Sequence, residues 1–253
     1  MLRNTGEDKM IKGFILSLQF FSRIPININI DFNERNIRYS IFFLPLIGGI
    51  IGALGGLVYY FLSPYNKLIA SFLSLLTTTV LTGGLHIDGL SDTFDGFMSN
   101  RDREKILEIM KDSRIGTFGV LSIVLVMLFK FILIYSIDNL PLALILSFAN
   151  SRIVAAITIS YKKNARPGGL GDLFHKANPK NLVVGSGIIY SFILVLLDLK
   201  YLIPLLINLL AGEYMSYVSY KKIQGLTGDV YGAIIELGDV ISLLGFWGVM
   251  LWI

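Results

Sequence analysis

Seven long apolar runs dominate the pattern of hydrophobic and polar residues along the chain. Each run is 17 to 24 residues long, and about 20 apolar residues in a helix are enough to cross the hydrocarbon core of a bilayer. Because a spanning segment must satisfy its own backbone hydrogen bonds, each run is predicted to be a helix. The predicted spans are residues 40–62, 68–85, 117–137, 141–161, 182–198, 201–218 and 230–253.

The predicted fold class is therefore all-α, a polytopic helical membrane protein with about seven transmembrane helices. Residues 10–24 form a shorter apolar stretch, which is interrupted by Gln19 and has basic flanks. Such a stretch is typical of a helix that lies in the membrane interface, and a first span is the competing interpretation. No internal repeat or linker divides the chain, so residues 1–253 are interpreted as a single integral-membrane domain.

The composition agrees with a membrane protein and excludes several kinds of site. Hydrophobic residues make up 54% of the chain and charged residues 16%, with a mean hydropathy of +0.67, whereas a soluble domain carries about a quarter charged residues. The absence of cysteine excludes disulfides, thiolate-bound zinc, iron–sulfur clusters and thiol catalysis. Only His86 and His175 occur, which argues against a histidine-rich metal site.

Basic residues are distributed unequally over the connections between the predicted spans. Alternate connections hold 18 of the 22 Lys and Arg residues, whereas the opposite connections hold only Lys67 and Lys200. The basic connections are residues 1–39, 86–116, 162–181 and 219–229. By the positive-inside rule, we expect the N-terminus in the cytoplasm and the C-terminus outside. This asymmetry accounts for the net charge of +4, so no nucleic acid partner is expected.

The connection after the second predicted span is rich in carboxylates. Carboxylates are costly to desolvate, so a cluster at a membrane edge needs an explanation, and a bound divalent cation is the simplest. Magnesium takes oxygen ligands and commonly bridges to substrate phosphates. The segment therefore predicts a Mg²⁺-dependent phosphoryl-transfer site at the cytoplasmic membrane surface. Its seven acids are Asp88, Asp92, Asp95, Asp102, Glu104, Glu108 and Asp112.

Two sets of these acids repeat at helical spacing. The first set, Asp88, Asp92 and Asp95, is spaced i, i+4, i+7 and covers an arc of about 60° on one helical face. The second set, Glu104, Glu108 and Asp112, repeats every four residues. Two short acidic helices that face one another would clamp one or two magnesium ions. The predicted metal ligands are Asp88, Asp92, Asp95, Glu108 and Asp112, of which Asp92 and Asp95 are also assigned as catalytic.

Purely structural roles are the alternative for several of the acids. Asp88 and Asp112 are suited to capping helices. Glu104 and Glu108 are suited to a solvated helical face, paired with neighbouring basic residues. His86 is a candidate general base, but on a continuous helix it lies about 160° away from Asp88. We therefore expect His86 to act only if the preceding glycine pair breaks the helix.

Other charged residues are predicted to bind the substrate. Lys111 and Arg114 lie beside the acids and suit phosphate oxygens. Arg152 lies within an apolar span, where arginine usually faces a cavity or a carboxylate. Asp229 and Glu236 are at helical spacing near the start of the last span. A buried glutamate needs a partner, and Arg152 or the metal is expected to supply it.

Glycine marks two further segments. Gly48, Gly52 and Gly56 form a small face at four-residue spacing, which lets another helix approach closely. That helix belongs either to the same subunit or to a second copy of the chain, so a homo-oligomer is one of the two alternatives. Residues 166–172 form a basic, glycine-rich loop, and its backbone amides suit phosphate, although such clusters more often form turns.

Four blocks of sequence carry a likeness to a known family: GGLHIDGLSDTFDG at 83–96, IMKDSRIG at 109–116, TGDVYGAIIE at 227–236 and FSRIP at 21–25. Together they resemble the cobalamin synthase family, the adenosylcobinamide-GDP ribazoletransferases of B12 nucleotide-loop assembly. The likeness covers nearly the whole chain. Two departures, Ser91 and Phe94, stand where small residues are expected, and they concern packing rather than the acids.

The resemblance implies an inner-membrane enzyme that requires magnesium. Its substrates would be adenosylcobinamide-GDP and α-ribazole or α-ribazole 5′-phosphate. Its products would be adenosylcobalamin, or the corresponding 5′-phosphate, and GMP. The expected partners are therefore these substrates and the lipid bilayer.

Two other functions fit parts of the pattern. Asp92-x-x-Asp95-Gly96 is similar to the start of the CDP-alcohol phosphatidyltransferase signature, but the Ala-Arg pair that follows in that family is absent. A cation transporter would also carry intramembrane acids, but transporter sites usually lie near the midplane between repeats. The acids of this chain are predicted at the membrane edge, which favours an enzyme.

Overall fold

A computed structural model describes residues 6–251, and within this range the chain folds into twelve α-helices. A short 3₁₀ turn, Leu199–Tyr201, precedes the eleventh helix. The helices are α1 (Gly6–Phe21), α2 (Glu34–Phe42), α3 (Leu44–Leu62), α4 (Lys67–Thr82), α5 (Leu85–Met98), α6 (Arg103–Ile109), α7 (Thr117–Ser136), α8 (Leu140–Tyr161), α9 (Leu170–Lys176), α10 (Lys180–Leu197), α11 (Leu202–Ile223) and α12 (Gly228–Leu251).

The predicted fold class is confirmed. Among the described residues, six segments are long and apolar enough to cross a membrane: α3, α7, α8, α10, α12, and α11 together with the turn before it. A seventh is obtained when α4 and α5, which are bent by 86° at their junction, are counted as one span. Residues 252–253 of the last predicted span lie outside the described residues.

The bend between α4 and α5 is produced by Gly83 and Gly84. Their φ angles are 65° and 71°, values in the left-handed region that glycine adopts without the steric penalty of a Cβ atom. Helix α4 packs along α3, whereas the 86° bend turns α5 out of that direction and across the end of the bundle. The two predicted short acidic helices correspond to α5 and α6.

Two predicted boundaries are wrong by several residues. The first span begins at Leu44 and not at residue 40, because α2 continues to Phe42 and Pro45 occupies the first turn of α3. The N-terminal helix begins and ends earlier than predicted, at Gly6 and Phe21. Its 16 residues measure about 24 Å, which is shorter than the ~30 Å hydrocarbon core.

Helix α8 lies at the centre of the bundle and is almost entirely buried. The glycine face of α3 packs directly on it, within one subunit. A Cβ atom on Gly48 would overlap the carbonyl oxygen of Phe148, and one on Gly52 would overlap the carbonyl oxygen of Leu144. The α3–α8 contact therefore depends on the missing side chains.

Replacing Gly52 with alanine tests this contact. We expect Gly52→Ala to lower the free energy of unfolding by about 1–3 kcal/mol, because overpacking a close backbone contact forces the helices apart. Gly49→Ala is the matched control, since its Cβ atom would meet nothing closer than Ile145 Cγ2 at 3.8 Å. Thermal unfolding in detergent measures both variants, and equal stabilities would contradict the proposed packing.

Candidate active site

Helix α5 lies across the first turns of α7 and α12, and this arrangement forms the site. Gly89 of α5 packs against Asp229 of α12, where a Cβ atom would come within 2.7 Å of the Asp229 carbonyl oxygen. At the other end, the carboxylate of Asp95 accepts hydrogen bonds from the backbone N–H groups of Gly116 at 2.7 Å and Gly119 at 2.8 Å. Asp95 thus caps the start of α7, where negative charge is favoured.

The structure brings three predicted acids together at the α5–α12 junction. Asp88 is exposed, whereas Asp92, one turn further along α5, and Asp229 are partly buried. Burial, followed by the carboxylates of Asp88, Asp229 and Asp95, raises the pKa of Asp92 to about 7. Such mutual repulsion between carboxylates is relieved by a nearby cation.

Arg166 pairs with one acid of this group. Its Nη2 lies 3.3 Å from Asp229 Oδ2, and the Thr227 hydroxyl donates to the same oxygen at 3.1 Å. Arg166 Nη1 is buried and has no hydrogen-bond partner among the described residues. The sequence indicated only a basic glycine-rich loop here, because Arg166 and Asp229 are separated by 63 residues.

Two cavities meet at Asp88. The first has a volume of about 280 Å³ and is lined by polar groups, including His86, Asp88, Arg166 and Asp229, and by aromatic rings such as that of Phe174. The second has a volume of about 460 Å³. It is lined by Asp88, Asp92, Lys111, Asp112 and Ser113, among others. The α5 helix separates the two cavities, and Asp88 contributes to both walls.

His86 lies in the wall of the first cavity. The predicted role of His86 as a base required the glycine pair to break the helix, and it does. The break precedes His86, however, so His86 and Asp88 both lie on α5. Burial, and then the positive charge of Arg152, lowers the pKa of His86 to about 3. The imidazole is therefore neutral at physiological pH, and the same lowered pKa makes it a weak proton acceptor.

The second predicted acidic set does not form a continuous helical face. Helix α6 ends at Ile109, so Asp112 lies beyond it. Glu108 is exposed and pairs with Lys105 at 2.8 Å. The guanidinium of Arg114 lies 2.6 Å from Asp112, and its hydrogen bonds lower the pKa of Asp112 to about 2.

Glu108 and Arg114 therefore lie on the solvated side of this segment. Neither lines either of the two cavities. Their predicted roles in metal and substrate binding stay predictions.

The acids do not form a preassembled metal site. Among the residues described, no three Asp, Glu or His side chains are grouped closely enough to hold an ion by themselves. The donor set nevertheless suits magnesium, which is usually held by one or two carboxylates together with water and substrate phosphates. Asp88 and Asp92, which lie one turn apart on α5, are the residues that fit this description.

Arg152 and Glu236 belong to a separate ionic cluster inside the bundle. The cluster contains Lys130 of α7, Arg152 of α8, and Glu236 and Asp239 of α12. Lys130 Nζ lies 2.8 Å from Glu236 and 3.2 Å from Asp239, and Arg152 pairs with Asp239. All four side chains are at most 4% exposed.

This ionic cluster changes one sequence-based interpretation. The partner of Glu236 is Lys130, and not Arg152 or a metal as expected. Lys130 itself is buried and also pairs with Asp239. Neither Arg152 nor Glu236 lines the two cavities, so direct contact of either residue with substrate stays a prediction.

The fold and this site define a class of protein: multi-pass helical membrane proteins with a carboxylate-rich polar site at one end of the bundle. Residues 13–247 match the family described as cobalamin-5-phosphate synthase. The chain belongs to this family, and its relatives are transferases of cobalamin synthesis.

Relatives from several bacteria extend the match over most of the chain. A protein of Treponema denticola named adenosylcobinamide-GDP ribazoletransferase is 44% identical over 251 residues, which cover 92% of this chain and 96% of that protein. Proteins with the same name from Clostridium novyi and Caldanaerobacter subterraneus are 41% and 40% identical, and each match covers at least 92% of both chains. No solved structure is significantly similar to the chain.

A charge-balanced double variant tests the ionic cluster. Lys130→Met leaves Glu236 and Asp239 in excess in a buried site, so we expect a loss of about 3–5 kcal/mol of stability. Lys130→Met/Glu236→Gln restores the balance with Arg152 and Asp239, and we expect it to recover much of that loss. Thermal unfolding of both variants in detergent provides the measurement. A double variant as unstable as the single one would disprove the pairing.

Proposed function

We propose that the chain joins α-ribazole or α-ribazole 5′-phosphate to adenosylcobinamide-GDP and releases GMP, in a reaction that requires Mg²⁺. The names of the relatives support the substrates. The observation that carries the proposal is the group of acids around Asp92, which lies between two cavities. Each cavity would hold the reacting part of one reactant, and the acids lie where these parts would meet.

The proposed step is an in-line displacement at phosphorus. The 3′-hydroxyl oxygen of the ribazole forms a bond to the phosphorus that is attached to the cobinamide arm. The bond from this phosphorus to the GMP oxygen breaks, and GMP leaves with the electron pair. The hydroxyl proton would pass to a carboxylate of α5 or to His86, and the raised pKa of Asp92 suits a proton acceptor better than the lowered pKa of His86.

Positioning of the reactants and stabilisation of charge account for most of the catalysis of a phosphoryl transfer. These are the main roles of the residues of this chain. Arg166 in the first cavity and Lys111 in the second would hold phosphate oxygens. Asp88 and Asp92 would hold magnesium, which when bound neutralises phosphate charge. Asp95 acts as a positioning residue, because it fastens α5 to the start of α7.

We also propose that the protein lies in the inner membrane, with the site on the cytoplasmic side and the C-terminus on the opposite side. The 18-to-2 distribution of basic residues supports this orientation. With α4 as a seventh crossing, the beginnings of α3, α7, α10 and α12 would lie on the same side as the carboxylates of α5. Water-soluble reactants are available on that face.

Neutralising Asp92 tests the assignment of the site. We expect Asp92→Asn to reduce turnover by more than about 100-fold, because charge stabilisation at the transferring phosphate is lost. Asp102→Asn is the matched control: Asp102 caps α6, and asparagine caps a helix nearly as well. Mass spectrometry of cobalamin product and GMP measures both. Full activity of folded Asp92→Asn would refute the role of Asp92.

Removing the metal tests the cofactor separately. Purified protein treated with EDTA should form no product from adenosylcobinamide-GDP and α-ribazole 5′-phosphate, and added Mg²⁺ should restore product and GMP in equal amounts. Undiminished product in EDTA would exclude the magnesium requirement. Activity with CDP-activated alcohols, and none with the corrinoid, would move the chain to the CDP-alcohol phosphatidyltransferase reaction.

A further inference from the structure

Four basic side chains line a third cavity. The cavity has a volume of about 420 Å³ and lies where α1, α2 and the start of α10 meet. Its basic side chains are Lys9 of α1, Arg35 and Arg38 of α2, and Lys180 of α10. None of the residues that line it also lines either cavity of the candidate active site.

The positive charge of this basic cavity is not compensated within the described part of the chain. Its remaining lining residues are uncharged: Tyr39, Asn178, Asn181 and Leu182. Among the described residues, the four basic groups make one direct polar contact, a hydrogen bond of 2.9 Å from Arg38 Nε to the Ala177 carbonyl oxygen. Lys180 also lies over the ring of Tyr161, 5.6 Å from its centroid. Like charges placed together in this way favour an anionic ligand.

The contact with Ala177 leaves both terminal nitrogens of Arg38 available. A guanidinium presents a planar fork of donors that matches phosphate oxygens. The amide side chains of Asn178 and Asn181 supply neutral donors beside it. The cavity therefore combines charge with hydrogen-bond donors, as a phosphate-binding site requires.

The position of the basic cavity indicates the source of the phosphate. Lys180 is the first residue of the spanning helix α10, and Leu182, in its first turn, also lines the cavity. A single residue, Phe43, separates the end of helix α2 from the start of the spanning helix α3. The cavity thus lies at the boundary between apolar spans and polar connections, the depth at which lipid headgroups are found.

We propose that the basic cavity binds the phosphate of an anionic phospholipid headgroup. The site is separate from the transferase reaction and does not depend on the proposed function. A bound lipid would bridge α2 and α10, which meet at this cavity through residues from both helices. The lipid would therefore stabilise the membrane-facing edge of the fold.

Lipid-dependent thermal unfolding tests this proposal on the full-length protein in detergent. Phosphatidylglycerol should raise the unfolding temperature of the wild type and remain bound in native mass spectrometry, whereas phosphatidylcholine should do neither. Arg35→Gln/Lys180→Gln removes two exposed cations, and we expect it to weaken retention of phosphatidylglycerol by about tenfold or more.

The matched control is Arg101→Gln/Lys163→Gln, which removes the same charge from the same face without touching the cavity. It should retain the lipid like the wild type. Arg38→Lys keeps the charge but removes the planar fork, and should also weaken retention. Equal retention by the cavity variant and the control would overturn the proposal. Binding of inorganic phosphate at the cavity without any preference for phosphatidylglycerol would overturn the assignment to a lipid.

Discussion

A charge inside a membrane must be paired, and this constraint determines how the centre of the protein is assembled. Lys130 and Arg152 would each be costly in a hydrocarbon environment, and they are tolerated because α12 supplies Glu236 and Asp239. The pairs join α7, α8 and α12 with a fixed rotation and depth. A helix that shifted by one turn would leave unpaired ions behind, so the cluster selects a single register for the three helices.

This fixed register is what makes the site at the end of the bundle possible. Helices α7 and α12 begin next to α5, which the glycine turn directs across them. Asp95 accepts hydrogen bonds from the backbone amides at the start of α7, and Gly89 lets α5 lie against the backbone of α12. The acids of α5 therefore occupy defined positions, because α5 packs on two spanning helices whose register the ionic cluster fixes.

The spans and the acidic connection could be predicted because both are local properties of the sequence. Hydropathy located the spans to within a few residues, and the spacing of Asp88 and Asp92 placed them correctly on one helix. Contacts between distant residues could not be predicted. Lys130 and Glu236 are separated by 106 residues, and no periodic pattern links a lysine in one span to a glutamate in another. Arg166 was missed as an individual site residue for the same reason.

The direction of α5 could not be predicted from the sequence either. Gly83 and Gly84 indicate a break, but their φ angles decide where the following helix points. Since α5 forms the partition between two cavities and Asp88 belongs to both walls, the cavities are not independent compartments. A ligand that displaces this partition from one side changes the affinity on the other, and thermodynamic linkage makes that effect reciprocal.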